Sequence, residues 1–251
     1  MIIIKTPEEL AHMRVSGQMA AGVLDTVAAS ASPGVTTGEL DQLAQELIGK
    51  FGGASAFFGY RGYPGHICVS VNEEVVHGIP GPRRIRLGDI VSIDVGVVYD
   101  GFVGDTAKTV MVGVTDPEVI RLVTVGQKAL ESAIAKAVAG NRLSDVSHAV
   151  ETVATDAGFS VVRDFVGHGV GRSMHEDPQV PNFGPPGKGP RLKPGMTLAL
   201  EPMINMGSSE VEVMPDRWTV LTKDRRFSVH FEHTVAVQEG MAEILTCAKR
   251  K

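Results

Sequence analysis

The stretch SIDVGVVYDGFVGDTAKTV, residues 92–110, constrains this chain more than any other. It holds two runs rich in β-branched residues that meet at Asp100-Gly101. An Asp-Gly pair between such runs is the strongest short-range signal for a hairpin with a two-residue loop. That loop fixes the register: Tyr99 faces Phe102, Gly96 faces Asp105 and Asp94 faces Ala107. Alternation then puts Asp94, Gly96, Asp105 and Ala107 on one face. Asp94 and Asp105 become diagonal neighbours, with backbones about 7–8 Å apart and side chains able to converge. Two converging carboxylates repel unless one is protonated or a cation lies between them. A solvated sheet face is the competing account.

The rest of the chain adds acids in similar settings. Glu201 closes the apolar run MTLALE just before Pro202, which stops ladder pairing. Glu232 sits in FSVHFEHTVAV, an expected strand over 227–237 in which His230, Glu232 and Thr234 share a face. His168 lies between glycines in VGHGVG. Acids that interrupt apolar strands need an explanation, because burying an unpaired charge is expensive. Five candidate ligands, four of them carboxylates, suit a pair of divalent ions. An oxygen-rich set with one imidazole favours manganese, iron(II) or cobalt(II) over structural zinc. A structural ion-pair network with Arg and Lys is the alternative.

Composition limits the function classes. The chain has 251 residues, 43% hydrophobic and 21% charged, with a net charge of −5. These values suit one large globular domain or two small ones and offer no basic surface for nucleic acid. The two cysteines, Cys68 and Cys247, form neither a disulfide framework nor a zinc-finger spacing, which points to a reducing cytoplasm. No run has membrane-spanning length, and the N-terminal apolar run is too short for a signal peptide. The closing CAKRK reads as a short charged tail.

Element signals run in the order helices, strands, helices, strands, an α+β pattern without regular βαβ alternation. Thr6-Pro7-Glu8-Glu9 opens a helix to about residue 31, and a second starts at Thr36 or Thr37. Strands are expected at HICVSVN, 87–97 and 102–112. Helices follow from Asp116-Pro117 to about 138 and from Ser144 to about 156. A Pro/Gly-rich loop over 177–195 and strands near 196–201, 210–214, 218–222 and 227–237 complete the pattern. The halves echo each other: Gly88 stands six residues before Asp94, and Gly195 six before Glu201. That echo suggests two similar halves around one site.

The segments VNEEVVHGIP, DVGVVYDGFVGDT, GHGVG, MHEDPQV, ALEPM and FEHT, in that order, resemble the type I methionine aminopeptidases, the bacterial form of the pita-bread metallopeptidases. The resemblance covers nearly the whole chain, taken as one catalytic domain, residues 1–251. It implies two pseudo-symmetric halves with a central, mostly antiparallel sheet covered by helices. It implies that Asp94, Asp105, His168, Glu201 and Glu232 hold two divalent ions (Co2+, Mn2+ or Fe2+). Glu201 would relay a proton toward the leaving amine, and His77 and His175 would contact the scissile amide. On residues alone, His77 is a loop histidine beside a tight turn, His175 a solvated loop residue and Trp218 a core filler. The resemblance instead gives Tyr60, Tyr63, Cys68, Met174 and Trp218 to a methionine-sized pocket. Asn72, Glu74 and Ser228 match positions that hold a monovalent cation (Na+ or K+) in some relatives.

Three positions depart from the family pattern. Met174 stands where Phe is usual, Phe57 where a small residue is usual, and Gly96 where several relatives have Thr. The pocket wall and one hydrogen bond to a ligand are expected to differ accordingly. The implied activity is removal of N-terminal methionine from nascent chains with a small second residue, by a cytoplasmic monomer in transient contact with ribosomes. No zinc-binding N-terminal extension and no long insert between His168 and Glu232 are found, as expected for a bare type I domain. The rivals are a prolidase-like or Xaa-Pro aminopeptidase, and a metal-free peptide-binding module on the same fold.

Overall fold

A computed structural model describes residues 1–247. Of the expected tail CAKRK, residues 248–251 lie outside them. The hairpin forms as its loop dictates: Ile90–Tyr99 and Phe102–Met111 pair antiparallel, with Tyr99 opposite Phe102, Gly96 opposite Asp105 and Asp94 opposite Ala107. Asp100 and Gly101 both have positive φ, 49° and 75°, as a two-residue type I′ turn demands. The first strand starts at Ile90, three residues later than expected, because Gly88 has φ 94° and turns the chain there.

Among the described residues, four α-helices flank this sheet. Helix α1, Pro7–Ser30, is closed at its N-terminus by a reciprocal capping box between Thr6 and Glu9. Helix α2, Thr37–Lys50, uses the same device with Thr36 and Glu39. Each box satisfies two backbone N–H groups that helix geometry leaves unpaired. Helix α3, Pro117–Lys136, is capped by Asp116. Helix α4, Leu143–Asp156, begins one residue before the expected Ser144, with the Asp145 carboxylate accepting from the Arg142 N–H at 2.7 Å.

The main sheet has nine strands among the described residues. Its central path runs Ala54–Ser55, Ile90–Tyr99, Phe102–Met111, Glu232–Ala236, Thr197–Leu200, Gly167–Gly169 and Glu176–Val180, and its pairings are antiparallel. Cys68–Val71 also pairs with Ile90–Tyr99, and Glu243–Ile244 with Glu232–Ala236. The seam between Phe102–Met111 and Glu232–Ala236 divides that path into three strands on one side and four on the other. Helices α1 and α2 bury the apolar face of the first half through Leu24, Leu40, Ile48, Val91 and Ile93. Helices α3 and α4 do the same for the second through Leu122, Leu130, Val150, Leu198 and Val235. This is the pita-bread architecture. Helix α1 approaches the sheet so closely that a Cβ at Gly104 would lie 2.4 Å from the Gly17 nitrogen.

Two expectations fail. The single strand over 227–237 is two strands, Ser228–His230 and Glu232–Ala236, in different sheets. The chain breaks at Phe231, whose N–H leaves the ladder and donates to the Pro202 carbonyl at 3.2 Å. The loop expected from 177 contains the end of an edge strand, Glu176–Val180; its Pro178 is tolerated there because edge positions need no ladder N–H.

Candidate metal centre

The four acids come from both halves of the sheet. Asp94 and Asp105 lie on the hairpin face described above, and Glu232 opens the strand beside it, opposite Ala107. Glu201 follows Thr197–Leu200 directly, where Pro202 ends the strand. His168, in the short strand Gly167–Gly169, pairs with Ala199 and so faces the same point. Its Nε2 lies 3.4 Å from Glu201 Oε1 and 3.8 Å from Asp105 Oδ2. Its Nδ1 is 2.9 Å from the Gly169 carbonyl. An Nδ1–H donated to that carbonyl leaves the Nε2 lone pair aimed at the carboxylates, the usual way a ligating imidazole is oriented.

Asp105, His168 and Glu232 are buried, and one donor atom from each lies within 4.8 Å of the others. Burial raises all four carboxyls. Asp94 is pushed up to about 7. Asp105 is driven well above the carboxylate range by burial and then by Asp94, and Glu201 by burial and then by Asp105 and Asp94. Glu232 is raised by burial, Asp105 and Glu201. Among the described residues no Lys or Arg forms an ion pair with them, which argues against the ion-pair network as an account. Asp94 Oδ1, Asp105 Oδ1 and Glu232 Oε1 are buried without a hydrogen-bond partner. Buried carboxylate oxygens left unpaired are costly, and a divalent cation is the partner that relieves both the repulsion and the orphaned oxygens. The donor set fits such an ion.

The acids form one end of a cavity of about 270 Å³. Tyr60, Tyr63, Cys68, Met174, Trp218, His77 and His175 line it as well. Tyr63 is fixed by donating to the Ile67 and Gly78 carbonyls, and packs edge-on to Trp218 with ring centroids 5.0 Å apart. The Tyr60 hydroxyl is 2.8 Å from His175 Nδ1, and the His175 ring lies 4.3 Å from that of His168. His77 has φ 60°, a left-handed backbone that throws its ring toward Phe165 and Trp218. Burial, with His175 nearby, lowers His77 to about 4, so it is neutral at neutral pH. His168 is held at about 4 for the same reasons. The Cys68 thiol is pushed up by burial and Asp94, so it acts as an apolar wall.

Phe57, Arg61, Val76, Phe165 and Val166 also border the cavity. Phe165 and Val166 were not anticipated; the signal available was an aromatic three residues before the glycine-flanked His168. His230, given no role from sequence, is buried with Nε2 3.7 Å from Glu201 Oε2. Asn72, Glu74 and Ser228 lie outside the cavity. The Ser228 N–H donates to the Asn72 carbonyl at 2.9 Å, while the Glu74 carboxylate is engaged by Arg83 and the Val71 N–H.

The family model for metallopeptidase family M24 matches residues 11–239. Methionine aminopeptidase 1 of Bacillus subtilis (strain 168) is 50% identical over 246 residues, 98% of this chain and 99% of its own length. A crystal structure of methionine aminopeptidase from Thermotoga maritima superposes with a TM-score of 0.96 at 48% identity, covering 98% of this chain and 99% of that one. Prolidase from Pyrococcus furiosus matches at a TM-score of 0.80 but 22% identity, covering 99% of this chain and 66% of that one, a likeness of fold alone. A family model over most of the chain and close relatives along its whole length agree, and this chain belongs to metallopeptidase family M24, among its methionine aminopeptidases.

Proposed function

We propose that the protein removes the N-terminal methionine from peptides and nascent chains whose second residue is small. The observation that carries this reading is the single cavity in which four buried acids and an imidazole share walls with Tyr60, Tyr63, Cys68, Met174 and Trp218. An apolar pocket with a pliable thioether wall takes an unbranched thioether side chain well.

The ligand set is Asp94, Asp105, His168, Glu201 and Glu232, holding two divalent ions, with manganese, iron(II) or cobalt(II) suited to its oxygen-rich character. Such ions supply Lewis acidity toward the scissile carbonyl and lower the pKa of water. Glu201 has the chemistry of the proton carrier: a carboxylate that gives one oxygen to a metal keeps a second with which to take a proton and return it to the leaving amine. His77 and His175, neutral, offer N–H donors to the amide and to the oxygen that gains charge during attack. Tyr60 positions His175 through the 2.8 Å contact at Nδ1. Asn72, Glu74 and Ser228 form the candidate monovalent-cation position. The whole chain, residues 1–251, acts as one catalytic domain on nascent N-termini in the cytoplasm, as a monomer in transient contact with ribosomes.

The test is a panel of kcat/KM values under one metal: Met-Ala, Met-Val, Met-Lys, Leu-Ala and Ala-Pro peptides. Met-Ala should lead, and Leu-Ala should trail by about 10–200-fold, the range that side-chain fit supplies. Faster cleavage of Ala-Pro than Met-Ala would place the protein with the prolidase-like enzymes. Met-Lys equal to Met-Ala would remove the restriction on the second residue.

A further inference from the structure

Phe57 and Phe58 are adjacent, yet they point in opposite ways. Phe58 is exposed and stacks on His66 with ring centroids 4.5 Å apart. Phe57 turns inward, is 8% exposed, and borders the cavity with the acids. Ser55 sets this turn: its Oγ accepts from the N–H groups of both phenylalanines at 3.1 Å and donates to the His66 carbonyl at 2.7 Å. The segment hangs directly from the hairpin, since the Ala56 N–H donates to the Gly96 carbonyl at 2.9 Å.

Gly96 does not need a left-handed backbone; it is absent from the positive-φ glycines and sits in mid-strand. What requires glycine is space. A Cβ at residue 96 would lie 2.6 Å from Phe57 Cε1, 3.0 Å from Phe57 Cζ and 2.9 Å from the Ala56 Cβ. The Phe57 ring therefore fills the volume that any other residue at 96 would take. A glycine inside a strand commonly marks such a close approach. Gly96 faces Asp105 and shares its side of the sheet with Asp94, so the ring is seated at the acid end of the cavity.

We propose that Phe57, seated on Gly96, is a specificity-determining residue: its ring sets the width of the cavity beside the acids and so the bulk of the first side chain accepted. The proposal rests on the reading that this cavity receives the substrate's first side chain. Phe57 and Gly96 act as a matched pair, and neither can change alone without cost. Truncating the ring opens room, and adding a methyl at 96 forces the ring off its seat.

The experiment uses metal-loaded full-length protein and the variants Phe57→Ala, Phe57→Leu, Gly96→Ala and the double variant Phe57→Ala/Gly96→Ala. For Phe57→Ala, the ratio of kcat/KM for Leu-Ala and Phe-Ala to that for Met-Ala should rise by about 10-fold or more. Phe57→Leu should shift it in the same direction by less, and serves if the alanine variant does not fold. Gly96→Ala should lower the melting temperature and the Met-Ala rate, and the double variant should recover both. Ratios within twofold of the unaltered protein in both Phe57 variants would overturn the specificity role. A double variant no more stable than Gly96→Ala would overturn the pairing. If the unaltered protein cuts no Met-Ala peptide, it is the functional reading that fails, because the melting temperatures test the Phe57–Gly96 contact without any substrate.

Discussion

Replacing Lys5 by Met should loosen the active site from a distance. The Lys5 ammonium lies 2.6 Å from Glu176 Oε2, and the two side chains are 3% and 7% exposed. Glu176 Oε1 also accepts from the Arg172 and Ser173 N–H groups at 3.0 and 3.3 Å. The carboxylate thus ties down the turn that carries Met174 and His175, while the Lys5 N–H holds the Gly195 carbonyl at 2.8 Å. Breaking a buried pair from one side costs ~3–5 kcal/mol, because the surviving charge has lost its counter-ion. Two N–H donors remain on Glu176, so Lys5→Met belongs at the low end, about 3 kcal/mol. At ~2–4 °C per kcal/mol for a domain of this size, the melting temperature should fall by about 6–12 °C. Adding Glu176→Gln should recover part of that loss, since the amide oxygen can still accept from the turn and no bare charge stays buried. The assay is thermal unfolding at fixed metal and protein concentration, paired with kcat/KM on Met-Ala. Displacing His175 by a fraction of an ångström should lower kcat/KM by on the order of 10-fold or more. A melting temperature within about 2 °C of the unaltered protein, with unchanged kinetics, would refute the reasoning.

Metal removal should abolish activity and leave a protein whose stability falls as pH rises. Asp94 is pushed up to about 7 in the fold against an ordinary 3.8, so the folded state holds its proton longer than the unfolded chain does. Stability is then lost between about pH 4 and pH 7, a slope that thermal melts of chelated protein should show and that added manganese should flatten. Asp105→Ala in metal-free protein should be as stable as the parent or more so, because it removes one of the clustered acids; a large loss of melting temperature would count against mutual repulsion. Glu201→Gln should cut the rate by at least roughly 100-fold, in line with general acid–base contributions. His77→Ala should lower turnover more than metal content, and loss of metal from it would deny it a role toward substrate alone. Thr234→Val keeps the shape but strips the partner from both the N–H and the carbonyl of Asp105, and should cost about 1–3 kcal/mol by chemical denaturation.

The hairpin was legible because its turn chemistry is local. Asp100-Gly101 favours a two-residue loop, and with that loop and no bulge Asp94 and Asp105 fall on a common face in the register observed. The first three helices were legible from caps at Thr6, Thr36 and Asp116. The break at Phe231 was not, because FSVHFEHTVAV alternates without a turn signal and the interruption comes from the distant Pro202 carbonyl. The strand at Glu176–Val180 was hidden by Pro178, which reads as a breaker until its edge position is known. The roles given to Asp94, Asp105, His168, Glu201 and Glu232 came from motif order; their convergence needed the pairing of His168 with Ala199 and of Glu232 with Ala107, which no local signal reveals. The Gly96 and Phe57 departures each looked like a separate anomaly in sequence, and only the 2.6 Å approach joins them.

The internal echo has a physical consequence at the seam. Gly88 and Gly195 turn the chain with φ 94° and 87°, each six residues before an acid, so each half delivers Asp94 or Glu201 by the same device. Neither half holds the site; it exists where Phe102–Met111 meets Glu232–Ala236. That junction has only two registered residue pairs, Glu232 with Ala107 and His233 with Thr106. Side-chain hydroxyls extend it. Thr106 donates to the Glu232 carbonyl at 2.9 Å, Thr234 to the Asp105 carbonyl at 2.8 Å, and Thr109 to the His230 carbonyl at 3.0 Å. Thr109 and Thr234 also accept from the N–H groups of His230 and Asp105. A regular ladder would satisfy the same backbone groups but would hold the two strands at one fixed spacing and twist. Threonines let the strands diverge past His233 while every carbonyl and N–H named here keeps a partner, as burial demands. Two of the three carbonyls they anchor belong to Asp105 and Glu232 themselves, so the hydroxyls that close the seam also fix the backbones of two of the acids.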